Sequence, residues 1–553
     1  MVEEMQDDPI APEACGNTST TDCGFPTSMG LVALSKLVAP EQKSVRAKLV
    51  RNVVFSGLRT ALLWPVPFLL IPFTLGKVGT GGYGTWAVFL TLINLTALAD
   101  LGIGGTLTKQ VAEHYAHDDF KALSRLLNTA FILYLALAIV VITVLWFGSG
   151  HLLSWMFRGS ASSPSELLLL WHYMLVIIGL NILSMPFYSV VTGLQRMDLS
   201  TVSGTFYTLS GAALTIVLLL LGWGLPGLLW ASLLTTLLTL LLLTWMVRRL
   251  LPRVVLNPLD LRWVEVKGIL GFSLQLYVTQ MAVVIQNQVE KLYLARFVGV
   301  VQVGWYNIAG DVGLKMRRIP ELLLSPVIAA ASELDARGDE RRLEELHHRL
   351  HKYLAFVGVP LTFYVSAISG RFVEIWLGPQ LQVVAWPLAV LVGVNFLNLM
   401  TGPGCLILVG KGLLRPGINS AVAGLFLNLT LSFILIYKFG FSGAVVGILT
   451  TIAATSVLFL YWFYRATGYP LGTILRRAYL KPAACSLAVL AILRVVVPTS
   501  HLGWLALSVH CLVFGVLYVL GLLGARFFDL VDLAQVESLL PFASVARRII
   551  PAA

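Results

Sequence analysis

Ile216-Val217-Leu218-Leu219-Leu220-Leu221 and, beyond one glycine-rich turn, Leu233-Leu234-Thr235-Thr236-Leu237-Leu238-Thr239-Leu240-Leu241-Leu242-Leu243 decide the class of this protein. Neither stretch shows the apolar–polar alternation of a barrel strand of about ten residues. Backbone groups in hydrocarbon must find their hydrogen bonds inside the segment, so stretches like these cross lipid as helices. They recur along nearly all of the 553 residues, of which 57% are hydrophobic and 12% charged. The mean hydropathy is +0.83. Soluble domains carry about 25% charged residues, so this chain has half the polar coat that water requires. The expectation is an all-α polytopic membrane protein, which excludes a soluble enzyme on a single anchor.

A bilayer core of about 30 Å needs around twenty apolar residues per helix. On that rule about 14 transmembrane helices are expected, from a first near 52–75 to a last near 502–524. Cytoplasmic loops retain Lys and Arg. With the amino end inside, inward segments hold 28 of the 39 basic residues and outward loops hold six, so both termini are expected in the cytoplasm. This bias also accounts for the net charge of +11 without a nucleic-acid partner. Residues 1–45 read as a disordered cytoplasmic tail with no cleaved export signal. The five cysteines are scattered, without metal-ligand spacing.

Four patterns recur in order. Gly76-x4-Gly81-x-Tyr83 returns as Gly299-x4-Gly304-x-Tyr306, and Asp119-x3-Leu123-x2-Leu126 as Asp339-x3-Leu343-x2-Leu346. Gly193…Arg196 is echoed by Gly410…Arg415, and Gly224-x2-Gly227 by Gly440-x2-Gly443; the offset drifts only from 223 to 216. We read two pseudo-symmetric six-helix lobes, 46–249 and 268–466, joined by a cytoplasmic linker at 250–267. Two extra helices occupy 467–524, and 525–553 is a cytoplasmic tail. Lobes with an even number of helices enter the membrane in the same sense, a plan seen in secondary transporters that alternate access to a site between repeats.

Five basic residues fall inside spans: Arg59, Lys291, Lys315, Arg317 and Arg318. A charge at a helix centre costs roughly 2.5–3.5 kcal/mol on insertion scales, so such residues face an interior or a wet cavity. They are the candidate substrate-binding residues. Arg317 and its neighbours suit an anion, because a guanidinium grips phosphate oxygens in a fork. Asp100, Glu290, Asp311 and Glu321 lie in the same spans. Spacing allows i,i+4 pairs Asp311–Lys315 and Arg317–Glu321, which would neutralise one another without any ligand. Glu290, Asp311 and Asp100 are the candidates for carrying a coupling proton or cation. Tyr277, Gln280, Gln286 and Gln288 give the seventh span a polar side, and His347, His348 and His351 read as a solvated amphipathic face.

Ile71-Pro72-Phe73-Thr74-Leu75-Gly76, Gly81-Gly82-Tyr83-Gly84-Thr85-Trp86 and Leu98-Ala99-Asp100-Leu101-Gly102-Ile103-Gly104 together resemble the first helical hairpin of the polysaccharide-export flippases. These belong to the multidrug/oligosaccharidyl-lipid/polysaccharide exporter superfamily. Gly299…Gly304-Trp305-Tyr306-Asn307-Ile308-Ala309, Ser325-Pro326 and the amphipathic stretch 339–352 agree with its second lobe. The resemblance implies the fold of the superfamily's multidrug exporters in a bacterial inner membrane. It also implies movement of a polyprenyl-diphosphate-linked oligosaccharide from the cytoplasmic to the outer leaflet, for O-antigen, capsule or exopolysaccharide assembly. A cationic chamber between lobes, no cofactor beyond H+ or Na+ coupling, membrane lipid as surroundings, and a polysaccharide polymerase and chain-length regulator as partners follow from it.

Two other readings stay open at this level. One is a cation-coupled multidrug exporter of the same superfamily. The other is a membrane glycosyltransferase or polymerase, against which stand the short outer loops and the lack of a catalytic triad, phosphate loop or Cys-His cluster. A non-enzyme is therefore expected, with no catalytic residues and no metal.

Overall fold

Helices Pro65–Asn94 (α1), Ile103–Ala116 (α2), Phe120–Phe147 (α3), Ser149–Met156 (α4), Pro164–Gly193 (α5), Met197–Leu220 (α6) and Gly224–Leu250 (α7) make up the first half of the molecule. The second half holds Trp263–Phe297 (α8), Val300–Glu321 (α9), Val327–Ala336 (α10), Glu340–Leu377 (α11), Ala385–Leu399 (α12), Gly402–Gly410 (α13) and Arg415–Thr467 (α14). Leu471–Val496 (α15) and Trp504–Gly524 (α16) follow. The computed structural model describes residues 63–157, 163–254, 263–324, 327–469, 471–497, 503–529 and 532, all within one compact unit, Arg59–Ala553. Arg59, the tail at 1–45, Ser325-Pro326 and most of the 525–553 tail lie outside the described residues.

Among the described residues the regular structure is helical, and ten helices are long and apolar enough to cross a membrane. This is fewer than the fourteen expected. Two of the ten carry internal turns: Gly79 breaks α1 at φ 70°, and Gly440 breaks the 53-residue α14 at φ 57°. Two more helices, α8 and α9, fall outside the ten and are the ones that carry Glu290, Lys291, Asp311, Lys315, Arg317 and Arg318.

The repeated motifs have a repeated conformation. Residues in the left-handed region occur at Asp118 and Gly338, at Gln195 and Gly412, and at Gly224 and Gly440; these pairs are separated by the offsets 220, 217 and 216 of the sequence repeat. After the first pair an aspartate caps the next helix: Asp119 Oδ1 accepts from Ala122 N–H at 2.9 Å, and Asp339 Oδ1 from Arg342 N–H at 3.1 Å. Such a cap satisfies one of the orphan donors at a helix start. Gly193 and Gly410 mark a second equivalence. A Cβ on Gly193 would stand 2.7 Å from Thr108 O in α2, and one on Gly410 2.7 Å from the Ala331 Cβ in α10. Small residues at both places let α5 and α13 lie directly on their partners.

The two halves meet where the first motif faces its own copy. α9 packs along α1 and α12, and α8 along α14. At the α1–α9 crossing a Cβ on Gly84 would lie 2.1 Å from Val300 O, and one on Gly304 3.1 Å from the Gly84 Cα. The backbones touch there with no side chain between them. Trp376 Nε1 in α11 donates to Phe68 O in α1 at 2.7 Å, a second tie between halves.

The amphipathic start of α11 differs from the sequence reading. His347 and His351 are 0% and 2% exposed, with their Nε2 atoms 3.1 Å apart and His351 Nδ1 2.8 Å from the Tyr479 hydroxyl of α15. Phe463 stacks on His347. The cause is the end of α14 together with α15, which packs along α11; they cover the face that the sequence leaves solvated. Lys352 is drawn into the same cover, its ammonium 2.6 Å from Asp532 and 2.7 Å from Asp529.

Candidate functional site

α8 and α9 are joined at Gly299, and their facing surfaces build a pocket of about 180 Å³ with α12. Lys291, Asp311 and Arg317 line it with the amides Asn287, Asn395 and Asn398. Helical periodicity places Asn307, Asp311 and their neighbours one turn apart on one face of α9. Lys291 donates to Asn307 Oδ1 at 2.8 Å, and Asn307 Nδ2 donates to Asp311 Oδ2 at 3.4 Å. Arg317 Nη1 donates to Asn398 Oδ1 at 2.7 Å.

The partners of these two cations decide what the pocket does. Each is oriented by a neutral amide and forms no direct ion pair; with Asp311 as the one carboxylate among the described lining residues, the lining keeps an excess of positive charge. The ladder expected from i,i+4 spacing does not form at Arg317. Glu321 is instead 3.4 Å from Arg318, whose side chain is 71% exposed. Arg317 turns toward α12 because Asn398 supplies an acceptor inside the bundle, where an arginine otherwise lacks one. Lys315 and Arg318 line neither this pocket nor the larger chamber described below.

Behind Lys291 lies a polar cluster that the sequence reading only half contained. Glu290 is 1% exposed. Its Oε1 accepts from Asn428 Nδ2 at 2.6 Å and from Ser432 Oγ at 3.1 Å. Both partners come from α14, brought close by Gly424, where a Cβ would stand 2.7 Å from Gln286 Nε2. Two polar residues four apart inside the apolar run 425–436 were the available signal. A buried carboxylate held by neutral donors, with Lys291 next to it in sequence, has the chemistry to take up a proton or small cation.

Asp100 occupies a different wall. Helix geometry is lost at Leu101 and Gly102, both left-handed at φ 49° and 76°, and the Asp100 carboxylate caps the restart of the helix. Gly104 N–H donates to its Oδ1 at 3.1 Å, and the Tyr134 hydroxyl also donates to Oδ1. Asp100 opens onto a chamber of about 630 Å³ lined also by Asn181, Tyr188, Tyr207, Thr239 and Gln280. Irregular backbone at membrane depth is tolerated where it lines such a space. Tyr277 does not line it; its hydroxyl donates to Leu98 O at 2.9 Å and ties α8 to the turn before Asp100.

The family described as polysaccharide biosynthesis protein matches residues 80–385, more than half of the chain. No curated protein matches it in sequence. Among solved structures, an inward-facing multidrug resistance MATE family transporter of the MOP superfamily superposes with a TM-score of 0.61 at 15% identity, covering 73% of this chain and 94% of that one. The lipid II flippase MurJ in an inward closed conformation gives 0.61 at 12% identity, over 84% and 99%. An outward-facing MATE family transporter gives 0.52 at 15% identity, over 75% and 95%. The chain therefore belongs to the polysaccharide biosynthesis protein family and is a multi-pass membrane protein with the fold of MOP-superfamily transporters and flippases.

Proposed function

We propose that this protein flips a polyprenyl-diphosphate-linked oligosaccharide from the cytoplasmic to the outer leaflet of a bacterial inner membrane by alternating access, supplying O-antigen, capsule or exopolysaccharide assembly. The observation that carries this reading is the pair Lys291 and Arg317, lining one pocket, each held by an amide and together outnumbering its carboxylate, Asp311. A diphosphate needs positive charge on its way across lipid. Arg317 could exchange Asn398 for phosphate oxygens with little side-chain movement, and its fork matches their geometry. The prenyl chain stays in hydrocarbon, where it costs nothing to leave.

Arg59 belongs to the same reading as a cation just before the helix that starts at Pro65, and Lys315 and Arg318 as charges met on entry. Glu290 with Asn428 and Ser432 is our coupling site for H+ or Na+, with Asp311 and Asp100 as further carboxylates on the path. Positive-inside bias places both termini in the cytoplasm. A polymerase and a chain-length regulator would act on the product outside. No step breaks a covalent bond, so the protein acts as a transporter and not as an enzyme.

The test uses full-length protein in proteoliposomes containing lipid-linked oligosaccharide. Flipping is read as the fraction that becomes accessible to an impermeant sugar-oxidising reagent. Arg317→Gln should slow it at least tenfold, and Arg59→Ala should abolish export in cells while the protein remains inserted. Normal flipping in both variants overturns the reading. A second reading, cation-coupled multidrug export, draws on the Asp100 chamber, which has no Lys or Arg among its described lining residues; uptake of a cationic dye with no glycan movement would favour it.

A further inference from the structure

The cation pocket is too small for the whole cargo. At roughly 30 Å³ per water, its volume of about 180 Å³ holds a phosphate group, not a sugar chain. The chamber beside Asp100 is more than three times larger, within the usual range of about 300–1,000 Å³ for ligand sites. Its chemistry is also different. Among the described residues, twelve of the eighteen that line it carry a neutral hydroxyl or amide, and none is basic.

The wall presents acceptors. Ser184, Thr192 and Thr239 donate their hydroxyl protons to Leu180 O, Tyr188 O and Thr235 O within their own helices, at 2.7, 2.9 and 2.8 Å. Asn181 Nδ2 does the same toward Ile177 O at 3.0 Å. Each of these groups then has oxygen lone pairs left over. Such a surface calls for a ligand rich in O–H donors. An anion would meet the Asp100 carboxylate and these hydroxyl oxygens, with neutral amide and phenol donors but no cation among the described lining residues. A cation would find a single charge, already accepting from Tyr134 and Gly104. The rings of Tyr188 and Tyr207 offer flat faces on which the C–H side of a pyranose can rest.

The two sites share one wall. Gln280 lines the chamber, and Val283, Gln286 and Lys291 line the cation pocket, all on α8. At 1.5 Å per residue, Gln280 and Lys291 are about 16 Å apart along that helix, a span that a diphosphate carrying a short glycan bridges.

We propose that this chamber is the glycan site, taking the neutral polyhydroxylated end of the cargo while the Lys291–Arg317 pocket takes its diphosphate. The assignment rests on the flippase reading above and adds where the sugars go.

The experiment compares binding of two probes to the full-length protein in nanodiscs. One is bare polyprenyl diphosphate. The other is the solvent-extractable lipid-linked oligosaccharide fraction of the cells that make this protein. Shape-conserving Asn181→Leu and Thr239→Val, made together, should weaken the glycan-bearing lipid about tenfold and leave the bare lipid unchanged, which also shows that the variant is folded. Arg317→Gln should weaken both. The assignment is overturned if the double variant binds the glycan-bearing lipid as wild type does, if it loses both probes alike, or if wild type does not prefer the glycan-bearing probe. Wild-type protein that binds neither probe overturns the flippase reading itself, and the glycan site with it.

Discussion

Arg317 shows how much one side chain's partner decides. Asn398 orients it at 2.7 Å without neutralising it; under the function proposed above, that charge is preorganised for an incoming phosphate. Lysine in its place would keep the charge and lose the fork. We expect Arg317→Lys to flip lipid-linked oligosaccharide at a rate between wild type and Arg317→Gln, measured in the same proteoliposomes. Glu290 allows a sharper separation. Glu290→Gln retains an oxygen for Asn428 and Ser432 and removes the titrating group. Probe binding should persist while the flipping rate stops responding to an imposed proton or sodium gradient; a rate that still follows the gradient removes Glu290 from coupling. The sequence announced these ionisable residues because a charge in an apolar run stands out. It could not announce Asn398, Asn428 or Ser432, which lie 81, 138 and 142 residues from the groups they hold. Local spacing alone paired Arg317 with Glu321, and a long-range amide won.

At the level of elements, the repeat was the most legible feature, and the backbone explains it. A left-handed residue followed by a capping aspartate stops one helix and starts the next at both Asp118–Asp119 and Gly338–Asp339. Asp339→Ala should cost about 1 kcal/mol, read as a lower thermal midpoint in detergent. The backbone N–H of Ala122 holds the Asp119 carboxyl below the usual carboxylate range. Its contribution is therefore present above the ordinary carboxylate pKa of about 4 and is lost as pH falls through the lowered value. The thermal midpoint of Asp119→Asn should thus differ from wild type at neutral pH and converge with it in acid. Less legible was the start of α11. Its charges and histidines read as a wet face, and only long-range packing shows them covered: Phe463 of α14 on His347, Tyr479 of α15 on His351, and Asp529 and Asp532 on Lys352.

On the scale of the whole molecule, composition sufficed to place the chain in a membrane, and the glycine motifs to place its turns. The two separate cavities were not foreseeable, because a single central chamber and two distinct ones demand the same hydropathy. Neither was the direct meeting of Gly84 with Val300 and Gly304, since a motif does not state that it packs against its own copy. Gly84→Leu should destabilise the protein by about 3 kcal/mol, visible as early unfolding in a thermal-shift assay; an unshifted midpoint would mean that the crossing is slack.

That bare crossing also sets a mechanical scale. With no interlocking side chains to ratchet past, the seam can serve as a fulcrum. From Gly84 to Asp100, just before the break at Leu101, runs about 17 residues, about 25 Å at 1.5 Å per residue. Over an arm of that length, a rocking of about 20° becomes a gap of about 9 Å at the far end while the fulcrum itself hardly moves.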